Sequence, residues 1–147
     1  MLIAGAHFDQ LLLFVLIIVS QLLGGCVGVG VGYLITGGTP GLVPGGSMNE
    51  ALSMEIWGTF LLAWFILAIK DSSTVSSKDG AVNGFLVCAI LYGLILMGGP
   101  ISGAAYNQAV GIVLTVFGNN AHQPDQYKYL WIYLVGPTIG GALAGIV

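Results

Sequence analysis

Long apolar stretches broken by short polar or glycine-rich segments make up almost all of this chain. Four of them reach the length of about 20 largely apolar residues that a helix needs to cross a bilayer at 1.5 Å rise per residue. The first runs over about 8–36, long enough to tilt or to project beyond the bilayer. It ends at Thr36-Gly37-Gly38-Thr39-Pro40, and the breaking chemistry continues through Pro44-Gly45-Gly46. The second covers about 49–70 and ends at Lys70-Asp71-Ser72-Ser73, while the third covers about 79–98 and is expected to stop at Gly98-Gly99-Pro100. The fourth, about 126–147, opens on Tyr127, Tyr129, Trp131 and Tyr133, amphipathic aromatics that favour the membrane interface.

One segment, about 99–117, fits neither a span nor a water-exposed loop. From Ile101 to Phe117 it carries no charge and is rich in small residues, yet it is too short to cross twice. Irregular backbone at membrane depth is tolerated only where protein or a water-filled cavity surrounds it. A re-entrant loop followed by a short half-helix meets both conditions. The predicted fold class is therefore all-α transmembrane, a bundle of four spans plus one re-entrant half-helix in a single membrane domain over 1–147.

Composition agrees with a lipid solvent. The 147 residues are 56% hydrophobic and 6% charged, with a mean hydropathy of +0.96, whereas soluble domains carry about 25% charged residues. Membrane lipids are thus the first expected contact. With no arginine and a formal net charge of -3, the chain lacks the basic surface that phosphates require, which argues against a nucleic-acid partner. No basic segment precedes the first apolar run, so that run is expected to stay in the mature protein. The absence of an arginine-rich presequence leaves the choice of membrane open, the mitochondrial inner membrane included. Lys70 and Lys78 flank one loop and Lys128 lies on the opposite side, which votes for the 71–78 loop being inside.

The glycines have a period. Gly24, Gly28 and Gly32 lie four apart on one face of the first span, and Gly136, Gly140 and Ala144 do the same in the fourth. Such stripes let membrane helices approach backbone to backbone, and both are read as helix contact faces. Cys26 and Cys88 sit inside apolar runs and are read as packing residues. His7 and His122 lack carboxylates or thiols at ligand spacing, so no metal site is expected. With no nucleophile beside a base and no facing carboxylate pair, neither an enzyme nor a cofactor is expected. Gln21 could bond across a helix contact or face a pore, and Ser102 and Thr115 are expected to bond locally to helix backbone.

The stretch Ile101-Ser102-Gly103-Ala104-Ala105-Tyr106-Asn107-Gln108-Ala109-Val110 resembles the second pore loop of the aquaporin, or major intrinsic protein, family, where a Ser-Gly-Ala stretch leads into Asn-Pro-Ala-Arg. Ser20-Gln21-Leu22-Leu23-Gly24 is similar to the family's third helix, Glu55-Ile56-Trp57-Gly58-Thr59-Phe60-Leu61-Leu62 to its fourth, and Tyr133-Leu134-Val135-Gly136-Pro137-Thr138-Ile139-Gly140 to its sixth. The resemblance runs from about Phe14 to the end and matches the last four of six spans, a partial aquaporin-like bundle without the first two helices and first pore loop.

What the resemblance implies is a pore element at Asn107, Gln108, Ala109 and Val110. Asn107 keeps the hydrogen-bond donor offered to passing water, and the half-helix N-terminus supplies positive potential against cations. Gln108 stands where the family has proline. Val110 stands where the family places its filter arginine, and the remaining filter wall falls near Ile95, with Ala104 on the loop, so that constriction is apolar. Glu55 corresponds to a glutamate that accepts bonds from loop N–H groups. A snorkelling Glu55 near the helix start is the alternative, and the brace is favoured because a re-entrant loop needs acceptors.

Two functions follow. The leading one is an aquaporin-like, non-conducting structural or accessory subunit of a larger membrane assembly, for example a mitochondrial respiratory one, in contact with other membrane protein subunits, among them other aquaporin-like chains. The alternative is one part of a split water or small-neutral-solute channel completed by another chain. A third reading, a piece of a six-span protein, is checked by intact mass, and the opening Met1 leans against it.

Overall fold

Local chemistry explains where each helix begins and ends in the computed structural model, which describes residues 8–38, 41–71, 77–118 and 126–147. Helix α1, Phe8–Thr36, stops at Gly37, whose φ of 72° suits a residue without Cβ. Helix α2, Met48–Lys70, starts with a capping box: Glu50 N–H donates to Ser47 Oγ at 3.3 Å and Ser47 N–H to Glu50 Oε2 at 2.7 Å. Helix α3, Gly80–Ser102, is capped by Asp79, which accepts from Ala81 N–H at 2.8 Å. Helix α4, Gln108–Phe117, follows a sharp reversal at 103–107. A 3-10 turn, Gln126–Tyr129, leads into α5, Leu130–Ala144.

Two expected boundaries are corrected. The third helix does not stop at Gly98-Gly99-Pro100 but continues through Pro100 to Ser102. Proline removes one N–H from the ladder without forbidding another turn, and the true stop is Gly103 in the left-handed region at φ 89°. The fourth expected span, about 126–147, is a 3-10 turn followed by a helix of 15 residues. At about 2.0 and 1.5 Å per residue these together still reach roughly 30 Å.

The bundle is all-helical among the described residues, and α1 from Gln10, α2 and α3 are long and apolar enough to cross a membrane. Helix α5 lies along α2, α3 flanks α2, and α4 packs between α1 and α5. The largest fully buried side chains, Tyr133, Ile132, Glu55, Thr115, Pro137 and Ser102, come from α2, α4, α5 and the end of α3. Outside that centre the surface is apolar: Leu11 to Val19 on α1 and Phe85, Leu96 and Met97 on α3 are all exposed. Such faces would associate in water and are at home against lipid. The protein is an integral membrane protein.

Candidate functional site

The reversal between α3 and α4 is built from three left-handed residues, Gly103, Ala104 (φ 54°) and Tyr106 (φ 47°). Non-glycine residues in this region cost about 1–3 kcal/mol each unless their surroundings hold them. The hold comes from one side chain on α2. Glu55 Oε1 accepts from Ser102 Oγ at 2.6 Å and from Ala105 N–H at 3.0 Å, and Oε2 accepts from Tyr106 N–H at 2.7 Å. Glu55 is fully buried. A buried carboxylate without partners is very costly, and hydrogen bonds to a charged group contribute about 1.5–3 kcal/mol each, so the carboxylate and the turn stabilise one another. Ser102 makes the expected local bond to Gly98 O at 3.4 Å, has its shorter bond to Glu55, and also accepts from Ala104 N–H at 3.0 Å. Thr115 Oγ1 has no partner among the described residues.

The turn delivers Asn107 as the N-cap of α4. Its backbone is extended and its Oδ1 accepts from Ala109 N–H at 2.8 Å. With the oxygen engaged, Nδ2 donates to no acceptor among the described residues. An amide donor thus stands at the positive end of a helix. Gln108 Nε2 donates to Thr138 Oγ1 on α5 at 3.2 Å. Gln108 and Ala109 line a cavity of about 420 Å³ between α1, α4 and α5, together with Gln21. Val110 is 40% exposed and lines an apolar groove of about 350 Å³ with Gly25, Gly28, Gly32 and Thr36.

Not all of the expected filter comes together. Ile95 is 43% exposed on α3, Ala104 is partly buried in the turn, and α3 and α4 do not pack along each other. The two glycine stripes also differ. A Cβ at Gly136 would stand 2.6 Å from Glu55 Cβ, and one at Gly140 would stand 2.9 Å from Phe60 N, so α5 meets α2 backbone to backbone. Nothing lies within 4 Å of the same position at Gly24, Gly28 or Gly32, and the glycine of α1 that meets α4 is Gly25, against Val113.

Three supporting side chains escaped the sequence reading. Tyr133 Oη donates to Ser102 O at 2.6 Å. Gln126 Nε2 donates to Thr115 O at 2.8 Å and Gly118 O at 2.7 Å, closing the C-terminus of α4. Tyr106, 3% exposed, inserts its ring between Gly58 and Gly98 and donates from Oη to Leu94 O at 2.9 Å. The only local signal was a glycine on each of two neighbouring helices, which gives no hint of its occupant. His7 and His122 lie outside the described residues, and among the described residues no cluster of His, Cys, Asp or Glu could hold a metal ion.

The bundle thus folds a short helix back against its spans and places at that helix's N-terminus an amide with no acceptor among the described residues. The model of the family described as "Major intrinsic protein" matches residues 2–147. Aquaporin TIP1-1 of Zea mays is 39% identical over 140 residues, covering 88% of this chain and 50% of the relative. Aquaporin NIP1-1 of Zea mays is 32% identical over 163 residues, covering 97% and 53%. Aquaporin NIP1-1 of Oryza sativa subsp. japonica is 33% identical over 130 residues, covering 86% and 42%. The chain belongs to the major intrinsic protein family of aquaporin-like membrane channels. It spans about half the length of the curated relatives it matches.

Proposed function

We propose that these residues form one half of an aquaporin-type path for water or small neutral solutes, completed by membrane segments that supply the opposite wall. The observation that carries this reading is the free Asn107 amide at the α4 N-terminus, on a turn held by Glu55. Such a donor can replace one hydrogen bond of a passing water molecule, while the helix end repels cations. Glu55 acts as the brace of the loop, Gln108 and Ala109 continue the pore motif, and Ala104 and Val110 supply apolar wall. With valine in place of a cation at that wall, selection rests on size and on the amide. The readout is stopped-flow swelling of vesicles carrying the protein purified with whatever co-purifies in mild detergent. Permeability above that of protein-free vesicles, lowered by Asn107→Leu, is expected; permeability equal to theirs ends the channel reading.

A second reading is favoured by Val110. Its side chain is exposed in an apolar groove, and apolar constrictions close by dewetting. In that reading the chain is a non-conducting structural subunit whose bare faces on α1 and α3 are covered by other membrane proteins, aquaporin-like or not. Co-purification of a fixed set of subunits, with no permeability, is its expected result. Recovery as a lone monomer counts against it.

A further inference from the structure

The Glu55 brace holds backbone N–H groups, and nothing in it ties the turn to α3 beyond Ser102. A second anchor does. Tyr106 immediately precedes the α4 cap residue, a position where an apolar side chain commonly folds back onto its own helix. Here it turns away. Its φ of 47° sends the ring into a notch cut by Gly58 of α2 and Gly98 of α3, where any Cβ would overlap the ring or the hydroxyl. The hydroxyl donates to the carbonyl of Leu94 at 2.9 Å, an oxygen with a second lone pair beyond its helix bond.

We propose that Tyr106 is the positioning residue of the loop. Through its ring and hydroxyl it refers the location of the Asn107 amide to the α2–α3 pair, on which α4 itself does not pack. Glu55 sets the path of the loop backbone, and Tyr106 sets its distance from α3. As far as it concerns solute passage, this inference rests on the reading of Asn107 as a pore donor; the mechanical part does not.

The test uses the full chain in lipid nanodiscs, with amide hydrogen exchange over residues 103–110, and the same protein in vesicles for swelling. Y106F keeps the ring and deletes the Leu94 bond. Helix content and subunit composition should match the wild type, while exchange at Ala105 and Ala109 should rise about two- to tenfold, the range one net hydrogen bond is worth. G98A tests the same contact from the other side, because its new methyl group would overlap the Tyr106 hydroxyl. It should loosen the loop in the wild-type background and add little in Y106F, a non-additivity that a general loss of stability would not produce. Unchanged exchange in Y106F, or full additivity of the two substitutions, overturns the proposal. If Y106F loosens the loop but wild-type vesicles swell no faster than protein-free ones, the positioning role stands and the channel reading falls. If wild-type vesicles conduct and Y106F changes neither swelling nor exchange, the channel reading stands and the positioning role falls.

Discussion

Two glycine stripes with the same four-residue period behave differently in this molecule. On α5, Gly136 and Gly140 bring the backbone against α2, and the residues around them include the most buried of the chain. On α1, a Cβ at Gly24, Gly28 or Gly32 would meet nothing within 4 Å among the described residues, Gly28 and Gly32 only border the groove at Val110, and the apolar window of that helix is 0% buried. Periodic glycine makes close approach available; it does not supply the facing surface. In lipid, where apolar contact alone gives little advantage, helices associate only where shape lets many atoms touch. Helix α5 has that fit with α2 inside this chain, and α1 keeps a face of the same kind free.

Substitutions can break this comparison at either end. The largest effect is expected from Glu55→Leu, which strands the N–H groups of Ala105 and Tyr106 and removes the shortest bond of Ser102 Oγ. Removing one partner of a buried charged network costs about 3–5 kcal/mol, so thermal unfolding in detergent should show loss of most folded protein, with Glu55→Gln milder because an amide oxygen still accepts. Gly140→Val comes next. Its side chain would press on Ile56 O, Phe60 N and Thr59 Cβ, all on α2, and overpacking of this kind costs about 1–3 kcal/mol. A lower melting temperature should appear whether or not other subunits are present.

Smaller effects sharpen the contrast. Gln126→Leu removes both side-chain bonds to Thr115 O and Gly118 O and should cost about 1–3 kcal/mol by leaving α4 carbonyls bare. Hydrogen exchange at Gly118 and its neighbours would report it. Gly28→Ala should change the unfolding of the isolated chain by less than about 0.5 kcal/mol. In the presence of co-purifying subunits the same substitution should weaken association if that stripe is a contact face. An unaltered subunit ratio on size-exclusion chromatography would mean that lipid covers it.

Much of the fold could be read in one dimension. The spans, the charge-free segment around Asn107 and the motifs shared with aquaporins are local patterns; the comparisons bear out the family, and the described residues bear out the all-helical class. Helix ends were harder where two signals competed. Gly98-Gly99-Pro100 has breaking chemistry, yet α3 continues because each residue can occupy a helical turn and only Gly103 takes the left-handed conformation that stops it. Ser102 shows the same limit at the site. A serine in a helix has a backbone acceptor within reach, but the carboxylate 47 residues earlier lies closer, at 2.6 Å.

By itself the sequence determined that the chain lives in lipid, that it is all-helical and which family it joins, because hydropathy and motifs are properties of neighbours along the chain. Only the tertiary structure decided which glycine stripe is used, that Ser102 joins the Glu55 brace, and that Tyr106 fills the notch between Gly58 and Gly98. Those outcomes depend on which surfaces meet in space, and a hydrogen bond or a steric fit exists only once both partners have been placed.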